Sequence, residues 1–143
     1  MSYCVIDDIT KKLDERTLIE LTDTAGTGTV DAAKVERAIR DADALIDSFV
    51  AKHYKTPMSP VPALVADLSA TIAIVSLHRF RSVESPAWSQ AYDRAMTVLK
   101  GVAEGNATLD GAPENPPPAD SVASALTFSA PGRVFSRDSL KGM

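Results

Sequence analysis

The chain has 143 residues, of which 45% are hydrophobic, and a formal net charge of -4, so it is long enough to bury one compact core. The acidic excess argues against a dedicated nucleic-acid binder, because phosphate binding requires a concentrated face of lysine and arginine. The single cysteine excludes an intramolecular disulfide, and together with two histidines it does not complete a tetrahedral zinc site.

The N-terminal segment predicts two short helices and no secretion signal. Asp7 or Asp8 is suited to cap a helix that runs through Leu13, and clustered apolar residues predict a second helix from Glu15 to Leu21. The start of the chain lacks the basic residues and the long apolar stretch of a signal peptide. We therefore expect synthesis and assembly in the cytoplasm.

The clearest helix follows a loop rich in glycine and threonine. Asp31 is placed to accept the unpaired N–H groups at its start, and we predict that the helix runs to about Tyr54. Its apolar residues recur at intervals of three and four: Val35, Ala38, Ile39, Ala42, Leu45, Ile46, Phe49, Val50 and His53. Prolines at positions 57, 60 and 62 then prevent continuation, so residues 55–61 are predicted to form an extended connector.

A second long helix is predicted from Pro62, in the first turn, to about Phe80. Its residues are apolar on almost every side, which predicts a central place in the core. Residues 61–77 approach the length of a membrane span, but they include Asp67 and three hydroxyl side chains. A buried helix is therefore favoured over a transmembrane one.

The third long helix is predicted to start at Ser85 and Pro86, which together form a cap and first-turn signal. Its apolar stripe consists of Trp88, Ala91, Tyr92, Ala95, Met96, Leu99, Val102 and Ala103. Gly105 is placed to end this helix in a left-handed conformation.

The composition changes after Gly105. Residues 106–124 are rich in Pro, Gly, Asn and Asp, which predicts a stiff linker outside the core. In residues 125–143, two alternating segments flank a Pro-Gly turn and predict a β-hairpin or a pair of short strands. The predicted fold is mainly α: a small bundle of three long helices and short N-terminal helices over residues 1–105, followed by the linker and an extended docking arm.

No constellation of residues in the sequence indicates catalysis or a bound cofactor. The stretch from Asp23 to Lys34 resembles a calcium loop, but Lys34 replaces the closing glutamate and two further ligand positions lack carboxylates. A capping turn is the favoured interpretation. His53 and His78 have no cysteine or carboxylate at metal-ligand spacing, and the sequence motifs of hydrolases and phosphate-binding loops are missing. We expect a protein that is not an enzyme and uses no metal or cofactor.

His78, Arg79 and Arg81 form a basic cluster at the end of the predicted central helix. Cations at this position compensate the negative helix terminus, and that is the simpler interpretation. The alternative is a partner site that faces DNA or an acidic neighbour.

The C-terminal arm carries the strongest functional argument. Beyond a proline-rich spacer, its apolar side chains alternate with cations: Arg133, Val134, Phe135, Arg137, Leu140 and Lys141. Such a segment can add a strand to an exposed edge on a neighbouring molecule, and the extended spacer supplies the reach. The alternatives are a disordered terminus and a tail folded back on its own helices.

Residues typical of one family occur in order along nearly the whole chain. They are Leu21, Thr22, Asp23, Asp31, Ala38, Ala42, Ile46, Asp47, Tyr54, Pro57, Pro62, Ile72, Ala73, Leu77, Tyr92, Ala95, Leu99, Ala103, Glu104, Gly105, Leu109 and the tail from Arg133 to Gly142. In this order and spacing, the chain resembles the Mu-like phage neck proteins, a family of head-tail adaptors. Residues 82–89 and the proline-rich linker depart from the family pattern.

The resemblance implies an α-helical adaptor that works as a structural protein in the virion neck. It implies a homo-oligomeric ring, a dodecamer by family, that joins the portal protein of the DNA-filled head to a further neck or tail-terminator protein. Incidental contact with DNA in the channel is compatible with this role, and no membrane takes part. The alternative hypothesis is a helical DNA-binding or other interaction module without catalysis.

Overall fold

This computed structural model describes residues 1–116, which contain five helices. They are α1 (Ile6–Lys12), α2 (Glu15–Thr22), α3 (Ala32–Val50), α4 (Ala63–Phe80) and α5 (Pro86–Ala103). Within these residues, β pairing is limited to one isolated bridge between Tyr54 and Glu114. The predicted mainly α fold is therefore confirmed, whereas the predicted hairpin of the arm lies outside the described residues.

The helix α4 is central, as its apolar sequence predicts. It packs against each of the other four helices. By length and by a mean hydropathy of 1.4, α4 would also qualify as a membrane span, but 61% of its residues are buried inside the bundle. Burial against the neighbouring helices accounts for its apolar character.

One continuous core joins the N-terminal segment to the start of the linker. Its largest fully buried side chains are Ile9, Leu18, Val35, Ile46, Val50, Met58, Val65, Ile74, Leu99 and Val102. The prediction that the linker stays outside the core is wrong for Leu109, which is only 4% exposed. The chain turns back at Gly105, whose φ is +81°, and the Leu109 N–H donates to the Tyr54 hydroxyl at 2.9 Å.

The starts of the helices follow local hydrogen bonding. Asp31 caps α3 as predicted, because its carboxylate accepts from the Lys34 N–H at 3.3 Å. In α1 the predicted cap is wrong: Val5 occupies the capping position, and Asp8 lies inside the first turn, where it accepts from the Val5 N–H at 3.1 Å. A carboxylate at the third helical position can reach back in this way, so an acidic residue there does not mark the cap itself.

The starts of α4 and α5 and the end of α3 can also be compared with the boundaries predicted from the sequence. Pro86 is the first residue of α5, as predicted, whereas Pro62 precedes α4 instead of lying in its first turn. α3 ends at Val50, before the predicted Tyr54. Beyond Val50, the Lys55 N–H donates to the Pro113 carbonyl at 2.9 Å. Because this N–H bonds to the linker, it does not form the next hydrogen bond of the helix.

A buried polar network fastens the N-terminal segment to the bundle. Asp43 of α3 accepts from the Tyr3 N–H at 3.0 Å and from the Ser69 hydroxyl of α4 at 2.6 Å. The Tyr3 hydroxyl donates to Asp47 and accepts from the Met58 N–H. Burial raises the pKa of Asp43, and burial together with the bond to Asp47 raises the pKa of Tyr3 to about 12.

Candidate interaction surfaces

The bundle has two chemically different ends. At the Phe80 end, where α3 starts and α4 finishes, Lys34 Nζ lies 5.8 Å from the centre of the Phe80 ring. At the Asn115 end, where α3 and α5 both finish, His53 Nε2 lies 3.1 Å from the Ala103 carbonyl oxygen. The 19 residues of α3 separate these ends by about 28 Å.

The predicted basic cluster divides between the interior and the surface. His78 is only 7% exposed, and its Nδ1 donates to the Ile74 carbonyl at 2.9 Å, so its ring belongs to the packing of α4. Arg79 and Arg81 are exposed. The Arg79 guanidinium lies 4.4 Å from the centre of the Tyr92 ring on α5, which holds one cation in a defined direction by a cation–π contact.

An exposed aromatic ring lies between these arginines. Phe80 is 63% exposed and Val83 is 50% exposed, although both are large and apolar. Beside the Phe80 ring is a cavity of about 350 Å³, whose lining includes Leu77 and the side chains of Lys34 and Arg37.

We call the following set the Phe80 surface: Lys34, Arg37, Ala38, Asp41, Ser76, Leu77, Arg79, Phe80, Arg81 and Val83. It combines the lining of this cavity with the exposed chain neighbours of Phe80, and it contains four cationic side chains and the carboxylate of Asp41. Lys34 is bridged to Asp31 at 3.4 Å, and Arg79 and Val83 also line a second hollow together with Glu84. Sequence reasoning missed Phe80, because a helix that is apolar on every side has no periodicity to reveal which apolar residue is exposed.

Asn115, next to the last described residue, is held at the opposite end by three hydrogen bonds. The Asn115 N–H donates to the His53 carbonyl at 2.8 Å. The Asn115 side-chain amide donates to the carbonyls of Ala51 at 2.8 Å and Tyr54 at 3.0 Å. These bonds satisfy carbonyl groups at the end of α3 that the helix itself leaves unpaired. We call this arrangement the Asn115 clamp.

The predicted arm residues lie outside residues 1–116, the described part of the chain. They are Arg133, Val134, Phe135, Arg137, Leu140 and Lys141. The last described residues lie at the Asn115 clamp, at the end of α3.

The loop that resembles a calcium site is organised as a turn. The Asp23 carboxylate accepts from the N–H groups of Thr27 at 3.0 Å and Gly28 at 2.7 Å, and these bonds lower its pKa. Lys34 Nζ donates to the Thr22 carbonyl at 2.9 Å, near the same loop. Within residues 1–116, no three His, Cys, Asp or Glu side chains come together as a metal site would require.

Comparison with known proteins identifies the family. The family model described as "Bacteriophage Mu, Gp36" matches residues 3–126. The chain belongs to the phage Mu Gp36 family. It is also similar to the Mu-like prophage FluMu protein gp36 of Haemophilus influenzae, with 32% identity over 113 residues, which cover 79% of this chain and 77% of that protein.

Family membership confirms the predicted relation to Mu-like phages. The matched residues include all five helices and the Asn115 clamp, and they extend beyond the described residues to position 126. Both the Phe80 surface and the clamp are therefore features of the Gp36-like part of the chain. The chain is a phage-associated protein with a mainly α-helical body.

Proposed function

We propose that this Gp36 family member is a structural protein of the virion neck, without catalytic activity. In this proposal it assembles in the host cytoplasm into a ring, with twelve copies as the resemblance implies. The ring joins the portal protein of the DNA-filled head to a further neck or tail-terminator protein. Membership in a phage family and the absence of a catalytic motif from the sequence support this role.

The observation that carries the proposal is the placement of two interaction elements at opposite ends of one rigid bundle. The Phe80 surface lies at one end, and the Asn115 clamp lies about 28 Å away at the other. A ring subunit that joins two larger assemblies needs one contact with its neighbouring copies and another with a neck partner. A bundle with different chemistry at each end meets this requirement without any conformational change.

The arm is the second element of the proposal. An extended proline-rich chain covers about 3 Å per residue, so the residues from 117 to 143 would span about 80 Å in that conformation. That distance is enough to cross a subunit boundary from the Asn115 clamp. In this proposal the arm binds a neighbouring copy or a neck partner through Val134, Phe135 and Leu140, while Arg133, Arg137 and Lys141 pair with carboxylates there.

Phage assembly with a truncated chain tests the proposal. We expect a phage that lacks this protein to accumulate filled heads and separate complete tails, which are distinguishable by electron microscopy. Purified full-length protein, added to the lysate, should restore joined particles. A chain that lacks residues 133–143 should keep its helical circular dichroism but fail to restore joining.

The matched control is a full-length chain in which Asp110, an exposed residue of the linker, is replaced by Ala. This variant should restore joining as well as the wild type does. A defect in capsid or tail formation, instead of in joining, would contradict the neck role. Normal joining with the truncated chain would contradict the role of the arm.

A DNA-binding module is the second candidate function, and it is favoured only by the exposed cations Arg37, Arg79 and Arg81. Binding through phosphates would weaken steeply as salt increases. A gel-shift assay with double-stranded DNA at low salt should detect such binding. Lack of a shift there would eliminate this alternative.

A further inference from the structure

Large apolar side chains are exposed at a few defined places on the described surface. The five most exposed within residues 1–116 are Met1, Val5, Leu64, Phe80 and Val83. Phe80 and Val83 belong to the Phe80 surface, and Met1 and Val5 lie together at the N-terminus. Two apolar patches, together with Leu64 apart from them, therefore remain exposed on the described part of the chain.

The N-terminal patch surrounds a hollow. A cavity of about 510 Å³ lies beside α1 and α3. Its lining, which we call the Val5 surface, consists of Ser2, Val5, Ile6, Asp7, Glu36, Ile39 and Arg40. The apolar floor comes from Val5, Ile6 and Ile39, while the charged groups are two carboxylates and one guanidinium.

The two surfaces lie on opposite flanks of α3. On this helix, the Phe80 surface contains Lys34, Arg37, Ala38 and Asp41, and the Val5 surface contains Glu36, Ile39 and Arg40. At 100° per residue, the two sets are centred roughly 160° apart around the helix axis. Patches in this arrangement suit a head-to-tail contact between copies, in which each copy uses one patch for each neighbour.

The shapes and charges of the two surfaces are complementary. Phe80 projects from its surface with 63% of its area exposed, and the hollow at the Val5 surface offers apolar walls to such a ring. The Phe80 surface has an excess of cations, whereas the Val5 surface carries the carboxylates of Asp7 and Glu36 beside the guanidinium of Arg40. Asp7 is bridged to Lys11 at 2.8 Å, but no salt bridge within residues 1–116 occupies Glu36, Arg79 or Arg81.

We propose that the Phe80 surface of one copy binds the Val5 surface of a second copy. The Phe80 ring enters the hollow against Val5 and Ile39, and the arginines beside it face Glu36 of the other copy. This inference rests on the proposed ring and deepens it, because it names the surfaces through which neighbouring copies associate. Repetition of one head-to-tail contact forms a ring when its rotation closes.

A mixing experiment distinguishes this contact from any other. In the proposed contact, Phe80→Glu places a negative charge opposite the carboxylates of the Val5 surface of the other copy. Val5→Lys places a positive charge opposite the cations of the Phe80 surface. Each variant retains the other surface intact. Each alone should therefore associate at least about tenfold more weakly than the wild type, while an equimolar mixture should associate again, because each variant supplies the surface that the other lacks.

Sedimentation equilibrium measures these masses against the 15.2 kDa monomer. The matched control is Leu64→Glu, which changes another large exposed apolar residue, 44% exposed, that belongs to neither surface. This control should associate like the wild type. Circular dichroism and thermal unfolding should show that all three variants remain folded.

Several outcomes would overturn the inference. They are a wild type that stays monomeric up to about 1 mM, association that persists in either single variant, and a mixture that stays monomeric although both variants are folded. None of these results depends on head-tail joining. A neck protein whose copies associate through other surfaces would thus fail this test and still pass the assembly test.

Discussion

The substitution Asp43→Ala tests whether the N-terminal segment is held by the buried polar network. Asp43 is 8% exposed, and its carboxylate accepts hydrogen bonds from the Tyr3 N–H at 3.0 Å and the Ser69 hydroxyl at 2.6 Å. Alanine removes both acceptor oxygens. The Tyr3 N–H then loses its bond to α3, although the Tyr3 hydroxyl still bonds to that helix through Asp47.

The expected cost follows from the two donors left behind. A buried donor without a partner costs about 1 to 3 kcal/mol, so two donors cost about 2 to 6 kcal/mol together. Two effects reduce this cost. Removing a buried carboxylate removes its desolvation penalty, and the Ser69 hydroxyl can rotate towards a carbonyl in the preceding turn of α4. We expect a net loss of about 2 to 4 kcal/mol in the free energy of unfolding.

Urea unfolding, followed by circular dichroism, measures this loss. The matched control is Asp41→Ala, an exposed aspartate on the same helix, which should change stability by less than about 0.5 kcal/mol. The double variant Asp43→Ala/Ser69→Ala should lose less than the sum of the two single losses, because both single substitutions break the same bond. A loss for Asp43→Ala no larger than that of the control would refute the reasoning.

Two further predictions concern the core and the alkaline range. Leu99→Ala should cost about 2 to 5 kcal/mol, because Leu99 is fully buried between α5 and the rest of the bundle; urea unfolding checks this, and a cost below about 1 kcal/mol would contradict the packing. Since folding raises the pKa of Tyr3 from 10.0 to about 12, neutral Tyr3 contributes stability that is complete below pH 10. That stability is lost as the pH rises through 12, by up to about 1.4 kcal/mol per pH unit. The stability advantage of the wild type over Tyr3→Phe should therefore shrink between about pH 10 and 12, and a constant difference across that range would show that Tyr3 titrates normally.

Local sequence signals predicted most of the helical framework. The intervals of three and four in α3, the proline at the start of α5 and the glycine after it all act through near neighbours in the chain, so they are visible without a fold. The same principle explains the errors at the helix ends. Lys55 bonds to Pro113, a partner too distant in sequence for a local pattern to reveal.

The interaction surfaces needed the tertiary structure. The sequence identified Arg79 and Arg81 as cations but grouped them with His78, which is buried, and it passed over Phe80. It also contained no sign that the Asn115 clamp holds the start of the C-terminal segment at the far end of the bundle.

By itself, the sequence determined the number and type of the long helices, the central position of α4 and the resemblance to Mu-like phage proteins. Only the tertiary structure decided which apolar side chains stay exposed, how Asp43 joins Tyr3 to Ser69, and that Leu109 enters the core. The physical reason is that helix formation depends on neighbours within a turn or two, whereas burial depends on contacts between residues far apart in the chain.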